Sequence, residues 1–284
     1  MNPALKTLDA TYRARAIPVG SVRYWSWLFA HQASRAPLLG IYALLAEWSA
    51  LTDPGTEPSA GRMKLAWWQD EIHRLIARAP VHPICVYLAS LPRAAEVDFD
   101  PLRQAVNASV AELGGVPLER SAELEPHADA LRAAPLALAS RLASVAVDEV
   151  NALDEINLGV CLRALAAADY RAGMTRDYRR EARLGRVPFA VDELLAEGID
   201  NADLCADQPP PRLEVYLAQQ RALAAQSYRT AALALPAACR SRQRHLLVLA
   251  ALGLKHVQRR TASLESPRLQ DMLLAWSTAR RAHG

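Results

Sequence analysis

Cysteine, phenylalanine, net charge and long apolar runs are all in short supply in this chain of 284 residues. The four cysteines, Cys85, Cys161, Cys205 and Cys239, lie far apart and form no CxxC pair. That spacing speaks against a zinc site, and the apolar surroundings of most of them read as buried free thiols of a reducing compartment. Thirty-three basic against thirty acidic residues leave a formal charge of +3. This balance, with no basic block, argues against a nucleic-acid partner. The longest apolar stretches, around residues 37–46 and 246–254, fall far short of the roughly 20 residues that cross a bilayer. The first 22 residues mix charges without a continuous apolar region, so no secretory signal is expected. These absences predict a cytoplasmic protein whose contact with a membrane goes no further than the surface.

Half of the residues are hydrophobic, and most of these are Ala and Leu, with only three Phe. Ala and Leu are strong helix formers, and strand-like alternation is scarce. The expectation is an all-α fold with one domain over residues 1–284 and its core at about 24–260. Apolar stripes of helical period predict helices at 26–53, 62–78, 81–91, 101–113, 126–147, 154–183, 213–233, 241–260 and 268–280. Loops are expected at 52–60, 114–117, 186–189 and 200–211, where Gly and Pro gather.

Three segments could carry chemistry. The first is Lys64-Leu65-Ala66-Trp67-Trp68-Gln69-Asp70-Glu71, followed by His82-Pro83. Adjacent tryptophans on a helix point about 100° apart, so one belongs to the core and the other needs a different partner. Simple packing is the commoner explanation of such a pair, ahead of a cavity wall. The second runs from Arg176-Asp177 to Glu181 and on to Gly185-Arg186. Asp177 and Glu181 stand one helical turn apart and could share a Mg²⁺ ion, while Arg176 and Arg186 could meet a phosphate. The commoner fate of such charges is a solvated helix face, in which Arg180 takes Asp177 and the arginines take Glu181. The third, Tyr42 to Asp53, is by itself an amphipathic helix with one terminal acid.

In this order the three segments resemble the squalene/phytoene synthase family. The likeness rests on Tyr42-Ala43, Lys64-Leu65-Ala66-Trp67-Trp68, His82-Pro83, Arg176-Asp177, Glu181 to Val187 and Asp192-Glu193-Leu194. It covers roughly residues 24–260. It implies an isoprenoid-synthase-like helical bundle around a central cavity, where two acidic clusters hold Mg²⁺ on a prenyl diphosphate. Carried over, the metal ligands are Asp177, Glu181 and Asp53. The substrate contacts are Arg35, Tyr42, Ser49, Tyr170, Arg176 and Arg186.

The departures from the family pattern matter as much. The first cluster reads Ser49-Ala50 and then Asp53, so its leading acids are gone. Gly173 stands at the usual Asn, Tyr170 near the usual Gln, and Arg180 at a commonly acidic position. A similar erosion is found in the family's non-catalytic branch, the complex I assembly factors, which the stretch 46–53 resembles. Two readings follow. In one, the chain binds a prenyl diphosphate or another isoprenoid lipid, or serves assembly with a protein partner, without catalysis or cofactor. In the other, it is an active Mg²⁺-dependent transferase joining two prenyl diphosphates. Both predict that Ser49 and Asp53 lie across a central apolar cavity from Asp177 and Glu181.

Overall fold

A computed structural model describes residues 8–53, 57–143, 152–259 and 269–282. Helix follows helix throughout, and no strand occurs among the described residues. In chain order the helices are α1 (Ala10–Ala16), α2 (Val22–Leu28), α3 (Gln32–Thr52), α4 (Pro58–Ile76), α5 (Pro83–Ala89), α6 (Asp100–Gly114), α7 (Leu124–Ala128), α8 (Ala134–Ala143), α9 (Ala152–Arg183), α10 (Val191–Ala196), α11 (Asn201–Cys205), α12 (Pro211–Ala234), α13 (Ala237–Arg240), α14 (Arg244–Arg259) and α15 (Leu269–Arg281). The short helices α1, α10 and α13 lie outside the predicted stripes, and the others follow them with three instructive differences.

The stripe at 26–53 is cut into α2 and α3 by a corner at Phe29–His31 that contains neither Gly nor Pro. Arginines take over the carbonyls freed at the end of α2. Arg35 donates to the Leu28 oxygen at 2.8 Å, and Arg244, more than two hundred residues away, donates to Phe29 and Ala30 at 2.6 and 3.2 Å. His31 then caps α3 by accepting from the Ala33 amide.

The helix expected at 126–147 begins at Leu124, and its residues 144–147 lie outside the described chain. Between α7 and α8 one turn widens into a π-helix, Asp129–Ala133. Pro135 explains it, because a proline ring clashes with the carbonyl four residues earlier and a wider turn relieves that clash. In the stretch expected as a loop at 200–211, α11 forms because Asp200 and Asp203 make a reciprocal capping box.

The main core joins Leu38, Ile41, Leu44 and Trp48 of α3 to Leu65, Trp68 and Ile72 of α4, Leu102 of α6, Leu138 of α8 and Leu165 of α9. A second cluster surrounds the C-terminal half of α9 through Met174, Tyr178, Phe189, Leu213 and Tyr216. The tryptophan pair divides as the helix geometry predicts. Trp68 is buried edge-on against Trp48 at 6.0 Å, while Trp67 stays exposed beneath the Arg74 guanidinium. His82 packs on Trp68 at 4.5 Å and caps α5, and its amide donates to the buried carboxylate of Glu71. The Trp-Trp and His-Pro segments are therefore one structural corner. Three of the four free cysteines are buried, and Cys205 is partly exposed.

Candidate functional site

Two of the sequence segments meet at the C-terminal ends of α3 and α9. Gly185 ends α9 with a φ of 77°, the left-handed conformation that favours glycine at a helix C-terminus. The Arg186 amide then donates back to the Glu181 carbonyl at 3.0 Å. This reversal turns the Arg186 guanidinium over the end of α3, where it donates to the Thr52 carbonyl at 2.9 Å and approaches the Glu181 carboxylate at 3.4 Å. One hydrogen bond thus ties the two half-sites across 134 residues.

The acids at this junction are engaged by guanidinium groups. Arg176 grips Asp177 with two nitrogens, the shorter contact being 2.6 Å. Arg180 donates to Glu181 at 3.1 Å and reaches Asp53 at 3.7 Å. The expected pairing of Arg180 with Asp177 is therefore replaced. The neighbouring Arg176 holds Asp177 in a bidentate grip, and Arg180 is drawn between Asp53 and Glu181. The Arg180 guanidinium is held above its ordinary pKa, since the bond to Glu181 and the charges of Asp177, Glu181 and Asp53 together outweigh desolvation, the largest single influence. Ser49 is exposed one turn before Asp53.

This geometry allows a test of the metal expectation. Carboxylate oxygens are the right donors for Mg²⁺, which demands a near-octahedral oxygen shell. Three carboxylates here face three arginines, so the group is neutral with no metal present. Among the described residues, no three Asp, Glu, His or Cys side chains converge closely enough to hold one ion. As built, a guanidinium lies between Asp53 and Glu181, where the ion would have to sit.

The remaining residues predicted for the site are spread along the bundle. Tyr42 is buried deep in α3, its hydroxyl 3.0 Å from Ser26, and burial pushes its pKa up to about 12. Tyr170 donates to Glu112 at 2.8 Å, and His127 lies 2.6 Å from the same carboxylate. Arg35 lies at the other end of α3, about 27 Å from Asp53 at 1.5 Å per residue. The structure does not bring it to the junction.

Sequence reasoning missed a set of polar groups inside the bundle. Tyr228 of α12 donates to Asp169 of α9 at 2.5 Å. Arg23 lies over the Tyr42 ring at 5.8 Å, and its pKa is lowered by burial and then by the charge of Arg132. The Nε atoms of Arg132 and Arg171 are buried and make no hydrogen bond. Arg23, Arg132 and Asp169 nevertheless keep accessible surface, and a Cβ built on Gly173 would meet nothing within 4 Å. One face of α9, from Asp169 through Gly173 to Asp177 and Arg180, therefore borders a polar cleft that opens at the junction with α3. Arg132 carried the available signal, as a charge amid the Ala and Leu of residues 130–146.

Comparison with known proteins agrees with this architecture. The protein-family model for squalene/phytoene synthase matches residues 18–272. Among solved structures, a dehydrosqualene synthase in complex with ligand superposes with a TM-score of 0.75 at 12% identity, covering 96% of each chain. The squalene synthase HpnC from Alicyclobacillus acidocaldarius gives a TM-score of 0.65 at 15% identity over 83% of this chain and 86% of the other. Curated protein sequences give no match. At these identities the structural likeness concerns the fold alone, while the family match spans most of the sequence. The chain belongs to the squalene/phytoene synthase family.

Proposed function

We propose that this chain is a non-catalytic member of its family that binds an isoprenoid or related lipid without a metal ion. The observation that carries this reading is the position of Arg180 between Asp53 and Glu181. Diphosphate departure needs an uncompensated cation to stabilise the developing charge. Here each arginine at the junction is already neutralised by a carboxylate, and Ser49 and Ala50 add none. The cleft beside α9 supports binding, since Arg23 and Arg132 border it together with Asp169. A ligand with an anionic head and an apolar tail would suit such walls. The likeness of residues 46–53 to the complex I assembly factors extends the reading to a role in assembly with a protein partner.

Purified protein given farnesyl or geranylgeranyl diphosphate with Mg²⁺ is expected to form no squalene or phytoene. Loss of metal-assisted departure should slow coupling by about a thousandfold or more, several kcal/mol of barrier. Product analysis by gas chromatography tests this, and robust hydrocarbon formation would establish the active-transferase reading instead.

A further inference from the structure

A groove of about 540 Å³ runs between α12, α14 and α15, on helix faces that take no part in the α3–α9 junction. Each helix contributes a stripe at helical spacing. These are Arg229, Ala232 and Leu233 from α12, Leu247, Ala251 and Leu254 from α14, and Leu274, Thr278 and Arg281 from α15. Such a volume and such an apolar lining suit a small-molecule site. Leu233 is 80% exposed at its edge, an apolar side chain left uncovered.

The polar groups of the groove are of one sign. Arg229, Arg240 and Arg281 line it, and no Asp or Glu does. Their places follow from topology. Lys255 and His256, late in α14, bond Asp271 near the start of α15, so these two helices run antiparallel. The end of α15, with Arg281, therefore lies beside the start of α14, and Arg240 immediately precedes that start. Two guanidinium groups thus gather at one end of an apolar trough whose other end is Leu254 and Leu274. The Thr278 hydroxyl within it is buried and has no hydrogen-bond partner.

We infer that this groove is a second lipid site, which takes a single-chain amphiphile with a phosphate or carboxylate head. The chain lies along Leu247, Ala251 and Leu254, the head meets Arg240 and Arg281, and Thr278 donates to a head-group oxygen. Arginine suits this task because its planar donors match oxyanions two at a time. Tyr228 stands between the groove and the cleft beside α9, but the inference uses none of the cleft's arginines and would survive the failure of the function proposed above.

The test uses the full chain and isothermal calorimetry with oleoyl lysophosphatidate, monoolein and inorganic phosphate. Oleoyl lysophosphatidate should bind at least tenfold more tightly than monoolein, and inorganic phosphate should bind far more weakly than either. The double variant Arg240→Gln/Arg281→Gln should erase the advantage of the anionic head and leave monoolein unchanged. Ala251→Trp, which fills the trough, should weaken both lipids at least tenfold, with thermal melting as the check on folding. Equal binding of lysophosphatidate by wild type and the double variant would overturn the proposal. So would inorganic phosphate binding as tightly as the lipid, which would leave only a basic surface patch.

Discussion

Replacement of Glu71 by Ala is expected to cost about 3 kcal/mol of stability, a large share of what holds a domain folded. Glu71 is fully buried on α4, yet its carboxylate serves three donors. The amides of Val81 and His82 donate at 2.9 and 2.7 Å, and Arg74 donates at 2.8 Å. These bonds fix the turn between α4 and α5 and with it the stack of His82 on Trp68. Alanine would leave two amides of that turn without their acceptor. Glu71→Gln keeps an oxygen for the amides but presents an NH₂ group to Arg74, so a smaller loss of about 1–2 kcal/mol is expected. Burial alone pushes this carboxyl upward, but the His82 amide, Arg74 and the Val81 amide outweigh it and leave the pKa below its ordinary value. Because the folded-state pKa is the lower one, the carboxylate's contribution is full above the unfolded value near 4.5 and disappears as pH falls through the folded value. Urea titrations between pH 7 and pH 3 should therefore show wild type and Glu71→Gln converging in acid. A gap that stays constant would contradict this.

Two glycines on neighbouring helices should respond in opposite directions to the same substitution. A Cβ at Gly253 of α14 would lie 2.3 Å from Cζ and 2.4 Å from Cε1 of Tyr228. That ring cannot swing aside easily, since it is buried between α12 and α14 and its hydroxyl is bonded to Asp169. Overpacking of this kind costs about 1–3 kcal/mol or more, against at most about 1 kcal/mol gained from helix propensity. Gly253→Ala should lose about 2 kcal/mol, and Gly253→Val should fail to fold at 37 °C. Gly173→Ala on α9, where a Cβ meets nothing, should gain about 0.5–1 kcal/mol. Thermal unfolding of the two alanine variants side by side checks the contrast, and a destabilised Gly173→Ala would show that the cleft beside it is filled.

Most of the helices could be read from the spacing of Leu, Ile and Trp, because burial of one face fixes that spacing wherever the helix ends up. The meeting of α3 and α9 was legible only through the order of the motifs, since no local signal links residues 134 positions apart. What stayed hidden depends on side-chain partners. The corner at Phe29–His31 carries no breaker of its own and is held from outside by Arg244. Glu71 looks like a surface acid in a polar run, and only the folded turn at Val81 and His82 shows why it is buried. Arg180 could be placed on the same helix face as Asp177, but its choice of Asp53 and Glu181 required the end of α3 to be in place. The polar cleft drew on Arg23, Arg132, Asp169 and Tyr228, from four separate segments, so no motif could announce it.

The central claim is that the junction of α3 and α9 works as a metal-free ion-pair network. Calorimetry with farnesyl diphosphate tests it most directly, carried out with Mg²⁺ and with a chelator in the Ala251→Trp background, which fills the outer groove. Most of the affinity should come from the prenyl chain, at about 25 cal/mol per Å² of apolar surface buried. Mg²⁺ should then change the dissociation constant by no more than about threefold, and Asp177→Ala, which frees Arg176, should cause no loss of affinity beyond that, well under 1.4 kcal/mol. A hundredfold gain with Mg²⁺ that Asp177→Ala abolishes would contradict the account, for it would mean that the carboxylates release their arginines and close on a metal ion.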